Sequence, residues 1–329
     1  QDPDLVGAGW RATWLERLAS TPFYAARWLG HDTRDAYWRR GSVVEAYERI
    51  RVPVLAVSGW ADAYADTVPR LLTGLRAPAR GWVGPWVHVY PHNGVPGPAA
   101  GFLQVAVAWW DACLRGRPTA GEPGYRVWMP EAGARPWEEE VSRGRWVAEE
   151  GWPSPRIRSL ERRLNVRPDA EVVVPWTGAG AIAAGVWCPF GLSGLPCEQQ
   201  PDDAVSALFD LPPLTEPLEI LGAPEVELEL RCDRPRGMVA VRLCDVDPDG
   251  TSVRVSYGLL DLAFRDGSAE RRALVPGRVY AVRVALRHCA WAFRPGHRIR
   301  LAVSTSYWPI ALPLPEPFEL RLTPDACVL

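Results

Sequence analysis

Two short motifs place an acidic and a basic side chain directly after predicted strands. The segment GWADAY, residues 59–64, follows the apolar run VPVLAVS and carries Asp62. The segment GPWVH, residues 84–88, follows the weaker strand signal RGWVG and ends in His88. A carboxylate can fix the tautomer of an imidazole and stabilise its cation, and the imidazole can then accept a proton from a hydroxyl. These residue types therefore indicate general acid–base chemistry.

Spacing alone supports two interpretations of this pair. An acid and then a histidine on successive strand ends is the order of the last two members of a serine-hydrolase triad. Equally, Asp62 could be the N-cap of the following helix, with His88 a hydrogen-bonded loop residue. Two neighbours are alternative partners: His92 in YPHNG, and Asp66, which falls a turn into the predicted helix.

The elements around these motifs predict a parallel sheet. After the strand VPVLAVS come a helix, ADTVPRLLTGLR, a second short strand and a longer helix, PAAGFLQVAVAWWDACLRG. Strand, helix, strand, helix is a βαβα unit, and functional groups of parallel sheets lie at the carboxyl ends of the strands. Two strands cannot make an independent sheet, so we expect residues 51–118 to be part of a larger one.

The flanking zones differ in pattern. Residues 1–50 predict two short amphipathic helices, with Leu5, Trp10, Trp14 and Leu18 on one face. Residues 119–329 predict half-buried strands such as PEVELELRC, RVYAVRVALR and HRIRLAVST, separated by Gly- and Pro-containing turns. Strands of this kind and spacing favour an antiparallel β-sandwich of the jelly-roll type.

Composition excludes several classes of function. The 329 residues carry a net charge of −2, with no basic footprint for nucleic acid or an anionic membrane, and no run approaches a membrane span. The seven cysteines form no CxxC pair, which favours reduced thiols and a cytoplasmic location. No stretch has metal-site spacing or a phosphate-binding glycine loop, so we expect neither metal nor cofactor.

The amino-terminal QDPDLVGAGW lacks an initiator Met and a signal peptide, and we expect it to lie within a longer protein.

Several stretches together resemble one family. VPVLAVSGWADAY, GPWVH and GFLQVAVAWWDACLRG are similar to segments of the CocE/NonD hydrolases, as are GRWVAEEGWP and WAFRPGHRIRLAVSTSYWP nearer the C-terminus. These enzymes form the X-Pro dipeptidyl-peptidase (peptidase S15-like) group, which includes cocaine esterase and the α-amino-acid ester hydrolases. The resemblance covers nearly the whole chain.

The resemblance implies a fold and a set of site residues. It implies the end of a helical cap in residues 1–50, the C-terminal part of an α/β-hydrolase domain in 51–118, and a jelly roll in 119–329. Asp62, from the GWxD motif, is then the triad acid, and His88, from GPWxH, is the base. Trp60, Tyr64 and Trp86 flank the pair and either wall an acyl pocket or fill packing volume.

One departure from the family concerns the nucleophile. In the family a serine lies in a G-x-S-x-G elbow upstream of the cap, and neither Ser58 in AVSGW nor Ser193 in GLSGL fits that pattern. We therefore expect the C-terminal portion of a longer enzyme (a truncation, a cleaved product or the product of a split gene) or a remnant that has lost catalysis. This chain alone should be inactive.

The sequence thus predicts a segment of a serine hydrolase that cleaves an ester or amide through an acyl-enzyme. Its substrate would be a small ester or a peptide, with dipeptidyl-peptidase activity included. Its partner would be the N-terminal hydrolase portion that carries the serine. The alternative is a non-catalytic binding or assembly module whose jelly roll docks a partner subunit or a carbohydrate. The oligomeric state, a homo-oligomer included, stays open.

Overall fold

The computed structural model describes residues 2–116, 123–164, 171–178, 180–323 and 327–329. Its first part consists of short helices joined by turns. Asp35 begins the fourth helix as its N-cap, because its side chain accepts a hydrogen bond from the Tyr37 amide. The helices are α1 (Pro3–Val6), α2 (Trp10–Ser20), α3 (Tyr24–Leu29) and α4 (Ala36–Arg40), followed by 3₁₀ turns at Val43–Glu45 and Tyr47–Arg49.

The apolar face predicted for the first helices is exposed. Leu5, Trp10, Trp14 and Leu18 all lie at the surface, and none of the four helices buries a residue. Within the part of the chain that the structure describes, this face packs on no core. The helical segment does contact the C-terminal strands, since the Arg34 amide donates to the Ser268 carbonyl at 2.8 Å.

The predicted βαβα unit forms the start of a mixed sheet. Strands β1 (Val54–Gly59) and β2 (Ala79–Gly84) are parallel and are separated by α5 (Thr67–Gly74). Helix α6 (Phe102–Arg115) follows β2. Strand β3 (Tyr125–Pro130) then pairs with β2 in parallel, and β4 (Gly144–Glu149) pairs with β3 in antiparallel orientation. The strand order of this sheet is β1-β2-β3-β4. Strands β3 and β4 are therefore the additional strands that the predicted two-stranded βαβα unit needed to form a sheet.

The sheet continues into residues that the sequence assigned to the sandwich. The sequence predicted that the α/β part ends at residue 118. Both β3 and β4 lie after that residue. The predicted boundary itself, between residues 118 and 119, lies outside the described residues. The boundary therefore stays a prediction.

The remaining strands form antiparallel sheets, which we call the β-rich region (β5–β14). One sheet has the order β10-β9-β13-β6, a second β11-β8-β14-β5, and a third pairs β12 with β7. The short helix α7 (Gln200–Asp203) precedes β6. The strands are β5 (Val172–Val174), β6 (Ala207–Asp210), β7 (Leu218–Gly222), β8 (Glu225–Cys232), β9 (Met238–Val246), β10 (Ser252–Asp261), β11 (Val279–Ala285), β12 (Cys289–Phe293), β13 (Arg298–Ser304) and β14 (Leu320–Leu322).

Alternation along the strands places the core between the two larger sheets. Inward residues of β8, β11 and β13 were predicted from their period of two, and all of them are buried in one cluster with residues of β9 and β14. Strand β9 is buried along its whole length because both of its faces are covered. Val239 and Val241 face the inter-sheet core, whereas Ala240 packs in a cluster with Ala181 and Arg242 pairs with Asp203. The predicted inward set is Val226, Leu228, Leu230, Cys232, Val282, Val284, Ile299, Leu301 and Val303, together with Leu286 directly after β11.

The first sheet and the β-rich region share an apolar contact. Ala290 of β12 is buried in the same cluster as Val83 and Val127 of the first sheet. The Ala132 amide also donates to the Ala292 carbonyl at 2.8 Å. The first sheet and the β-rich region are therefore in direct contact. Among the described helices, none combines the length and the apolar character needed to cross a membrane.

Candidate active site

A tight turn after β1 fixes Asp62. The Asp62 amide donates to the Gly59 carbonyl at 2.9 Å, and the Asp62 Oδ1 accepts from the Tyr64 amide at 3.0 Å. Only 7% of this residue is exposed. Helix α5 begins at Thr67 and has Asp66, not Asp62, at its N-cap position. The interpretation of Asp62 as a helix cap is therefore wrong, because the chain makes a full turn between the strand and the helix.

The structure brings the two predicted residues into contact. The His88 Nδ1 lies 3.1 Å from the Asp62 Oδ2, which also accepts a hydrogen bond from the Ser58 hydroxyl at 3.1 Å. With Nδ1–H donated to the carboxylate, the Nε2 lone pair is the one left to accept a proton. The His88 side chain is 44% exposed, so it is open to another molecule. This geometry matches that of an acid–base pair.

Histidine 92, the alternative base, has different neighbours. Its ring stacks on Phe102 at 6.1 Å between centroids and on Tyr90 at 5.8 Å. It lies in the 3₁₀ turn Pro91–Asn93, beyond the loop that carries His88. The imidazole bonded to Asp62 is that of His88, so the contacts favour His88 as the base.

Glycines allow the two loops to approach each other. The Trp60 amide donates to the Gly84 carbonyl at 2.8 Å, and the Ala61 amide to the Trp86 carbonyl at 3.2 Å. A Cβ on Gly59 would lie 1.9 Å from the Trp86 carbonyl oxygen. Since that oxygen belongs to the backbone, it cannot move aside as a flexible side chain could. Glycine at this position is thus required for the Asp62 and His88 loops to meet.

We expect Gly59→Ala to destabilise the protein by about 3 kcal/mol, because overpacking against backbone forces the two loops apart. Urea unfolding followed by tryptophan fluorescence measures the change. Gly151→Ala is the matched control, since a Cβ at Gly151 meets no atom within 4 Å. Equal unfolding midpoints for the two variants would contradict this account of the loop contact.

The three aromatic residues predicted beside the site have different positions. Trp86 is 1% exposed, donates its indole N–H to the Pro98 carbonyl at 2.9 Å, and packs edge-on against Trp82. Trp60 is half-buried and donates its indole N–H to the Trp128 carbonyl at 2.6 Å. Both contacts are those of packing residues. Tyr64, by contrast, is 50% exposed, and its ring centroid is 5.6 Å from that of His88.

The sequence did not identify three further neighbours of His88 and one of Tyr64. The His88 amide donates to the Pro189 carbonyl at 3.0 Å, and the exposed Phe190 ring meets the imidazole edge-on at 5.3 Å. Trp187 contacts Tyr64 at 5.5 Å between centroids, and the Cys188 thiol lies within 4.8 Å of both the Asp62 carboxylate and the His88 ring. These residues follow His88 by about a hundred positions, and no local pattern marks them.

Arg287 of the β-rich region forms hydrogen bonds with the loop that carries Asp62. Its Nη2 donates to the backbone carbonyls of Asp62 and Ala63 at 2.9 and 2.8 Å, and its Nε to the Asp66 Oδ2 at 3.0 Å. The His288 amide donates to the Asp66 Oδ1 at 2.6 Å. Burial would raise the pKa of Asp66, but the His288 hydrogen bonds and the Arg287 charge outweigh it and lower the pKa to about 2.

Comparison with known families gives two matches. Residues 119–326 match the X-Pro dipeptidyl-peptidase C-terminal non-catalytic domain. Residues 5–90, which include Asp62 and His88, match the X-Pro dipeptidyl-peptidase (S15 family). The first match alone covers more than half of the chain.

Individual relatives agree with these matches. The cocaine esterase of Rhodococcus sp. (strain MB1 Bresler) is 25% identical over 328 residues, covering 88% of this chain and 54% of the esterase. The chain spans about half the length of the curated relatives that it matches.

Two solved structures share the fold. An aminopeptidase from a marine sediment Thaumarchaeota archaeon has a TM-score of 0.73 at 19% identity, over 95% of this chain and 61% of that one. A CocE/NonD family hydrolase from Staphylococcus aureus has a TM-score of 0.71 at 13% identity, over 97% of this chain and 61% of that one. At these identities the likeness concerns the fold.

Proposed function

Since the chain belongs to the X-Pro dipeptidyl-peptidase (S15) family, we propose that Asp62 and His88 are the acid and base of a serine-hydrolase triad. The observation that carries the proposal is the 3.1 Å contact between the Asp62 Oδ2 and the His88 Nδ1, with the imidazole open to a partner. The nucleophilic serine belongs to a polypeptide segment outside this sequence, because no serine here lies in a G-x-S-x-G elbow. The Ser58 hydroxyl donates to the Asp62 carboxylate at 3.1 Å, so its described partner is the acid of the pair.

The proposed reaction is acyl transfer to water. His88 takes the serine proton at Nε2 as the oxygen attacks the substrate carbonyl, and the Asp62 carboxylate stabilises the imidazolium. His88 then protonates the leaving alcohol or amine, which leaves an acyl-serine. Water, deprotonated by His88, releases the acid and restores the serine. Each proton thus passes through one imidazole, which the Asp62 carboxylate orients.

For the fold, we propose the end of a helical cap in residues 1–50, the C-terminal part of an α/β-hydrolase domain in 51–118 and a jelly roll in 119–329. The likeness to solved CocE/NonD hydrolases supports this division. Because β3 and β4 continue the first sheet, the α/β part would extend past residue 118 in space.

The proposed substrate is a carboxylic ester or a peptide amide. The names of the relatives, a cocaine esterase and an aminopeptidase, support both classes. Exposed aromatic rings of Tyr64 and Phe190 beside His88 could contact an apolar acyl group. The proposed partner is the N-terminal hydrolase portion, and the proposed location is the cytoplasm. A homo-oligomer remains an open proposal.

The test is ester hydrolysis by an assembled hydrolase, by which we mean this chain combined with the family segment that carries a G-x-S-x-G serine. Hydrolysis of a p-nitrophenyl ester should rise on mixing. Asp62→Asn should lower kcat by about 10⁴-fold, because the amide holds the imidazole in the wrong tautomer.

The control for this experiment is Asp4→Asn, a surface aspartate in the first turn of α1, which should leave kcat unchanged. No hydrolysis above that of the separate parts, or full activity in Asp62→Asn, would remove the triad assignment. The first of these results would favour the alternative function, a non-catalytic binding or assembly module that docks a partner subunit or a carbohydrate.

A further inference from the structure

Three side chains with metal-binding atoms converge beside the proposed triad. A carboxylate oxygen of Asp62, a ring nitrogen of His88 and the sulfur of Cys188 all lie within 4.8 Å of one another. We propose that these three residues form a binding site for a thiophilic divalent cation of the Zn²⁺ class. The binding itself does not depend on the proposed hydrolase function, but its consequence for catalysis does.

The donor set suits Zn²⁺ better than Mg²⁺ or Ca²⁺. Thiolate and imidazole are ligands of zinc and other late transition metals, whereas magnesium and calcium require oxygen atoms. Bonds of about 2.0–2.3 Å in a tetrahedron separate ligand atoms by roughly 3.5 Å. The Asp62 and His88 atoms are already 3.1 Å apart, so an approach by the Cys188 sulfur of about 1 Å would complete the geometry. The site would supply three protein ligands and leave a fourth position open.

The loops that carry the donors are held together by the backbone. The hydrogen bond from the His88 amide to the Pro189 carbonyl, at 3.0 Å, joins the residue after Cys188 to His88 itself. This bond is independent of any ligand atom, and it keeps the thiol near the imidazole. Less conformational entropy is therefore lost when a cation binds.

Outer contacts orient the carboxylate and reduce its solvation. The Ser58 hydroxyl and the Tyr64 amide each donate to Asp62, as groups beyond a metal's ligands commonly do. Arg287 donates to the backbone carbonyl of Asp62 and pairs with the carboxylate of Asp66. Among the described ion pairs, the partner of the Asp62 carboxylate is His88, so no guanidinium there competes with a cation.

Occupation of this site would inhibit the proposed hydrolase. A cation on the Nε2 of His88 takes the lone pair that accepts the serine proton. A cation on Nδ1 replaces the proton that His88 donates to Asp62. In both cases the imidazole no longer acts as a base oriented by a carboxylate. The site would therefore make hydrolysis reversibly sensitive to free Zn²⁺.

The direct test is titration of the metal-free chain with Co²⁺, followed by competition with Zn²⁺ in a calorimeter. We expect one cation per chain and a thiolate-to-cobalt charge-transfer absorption that Zn²⁺ removes. Cys188→Ser should abolish the charge-transfer absorption, and Cys188→Ser and His88→Ala should each weaken the affinity at least about 10-fold. Cys197→Ser and His92→Ala are the matched controls, because Cys197 is an exposed free thiol and His92 stacks on Phe102.

Absence of the charge-transfer absorption, or equal affinity in Cys188→Ser and wild type, would overturn the proposal. So would an equal loss in Cys197→Ser. Far-UV circular dichroism of each variant identifies any loss that comes from misfolding. In the assembled hydrolase, the Zn²⁺ concentration for half-inhibition should rise at least about 10-fold in Cys188→Ser. The cobalt titration measures binding and needs no turnover. Failure of the metal site would therefore appear in the titration, whereas failure of the hydrolase function would appear only in the ester assay.

Discussion

Replacing His88 with alanine is expected to lower the kcat of the assembled hydrolase by up to about 10⁶-fold. The imidazole is the group that moves every proton in the proposed cycle, and the 3.1 Å contact with Asp62 gives it the orientation for that role. Without it, the serine hydroxyl stays protonated and the leaving group departs without an acid. KM should change little, because His88 acts on the reacting bond rather than on binding of the substrate.

His92→Ala is the matched control for this experiment. The two histidines are separated by four positions, and the structure gives them different partners, Asp62 for one and Phe102 for the other. We expect His92→Ala to retain nearly full kcat. The reverse outcome would assign the base to His92. Since the His88 side chain is 44% exposed, its removal should cost little folding free energy. Equal unfolding midpoints of His88→Ala and the wild type would show that the loss of kcat does not come from unfolding.

Asp66→Ala is expected to destabilise the protein by about 3 kcal/mol. The carboxylate pairs with Arg287 at 3.0 Å, and both side chains are largely buried, with 18% and 20% exposed. Removing it leaves a guanidinium with a poorly solvated charge, and the His288 amide loses its acceptor. Urea unfolding at pH 7 measures the loss. Asp32→Ala, which breaks an ion pair with Arg271 between exposed side chains, should cost less than about 1 kcal/mol.

The pH dependence of unfolding checks the same contact. The pKa of Asp66 falls from an ordinary value of 3.8 to about 2 in the folded protein. A lowered pKa means that the stabilisation is complete above the unfolded value and disappears as the pH falls through the folded value. The wild type should therefore lose about 2 kcal/mol from this group between pH 5 and pH 2, at roughly 1.4 kcal/mol per pKa unit. If Asp66→Ala lost the same unfolding free energy between pH 5 and pH 2, another group would be responsible for the loss.

Arg287 connects this stability effect with the site. Its guanidinium bonds both the Asp66 carboxylate and the backbone carbonyl of Asp62, so the β-rich region helps to hold the loop of the proposed triad acid. A loss of packing between the two parts should therefore disturb the Asp62 position before it disturbs the strands of either sheet. The β-rich region is in this way part of the site's support.

Much of the fold followed from local patterns. The period of two in β8 and β11 predicted which side chains are buried, because successive residues of a strand point to opposite faces wherever the strand lies. The continuous apolar run VPVLAVS predicted β1, and the helical pattern of ADTVPRLLTGLR predicted α5. Strand β3 was harder to assign, since its addition to the first sheet depends on pairing with β2, 44 positions earlier at Gly81 and Tyr125.

The sequence alone determined the residue types of the site, an acid and a histidine at the ends of successive parallel strands. Parallel strands bring their carboxyl ends to one edge, which predicted that Asp62 and His88 lie near each other. The choice of a bonded pair over a helix cap and a loop histidine came from the family resemblance of GWxD and GPWxH, and the structure shows the two side chains in contact. Only the tertiary structure decided that Trp86 packs inside while Tyr64 faces His88. It also brought Cys188 and Arg287 to this edge from the following strands and loops. The physical reason is that a periodic pattern specifies which face of its own element is buried, whereas a contact across a hundred or more residues depends on how two separately formed layers pack together.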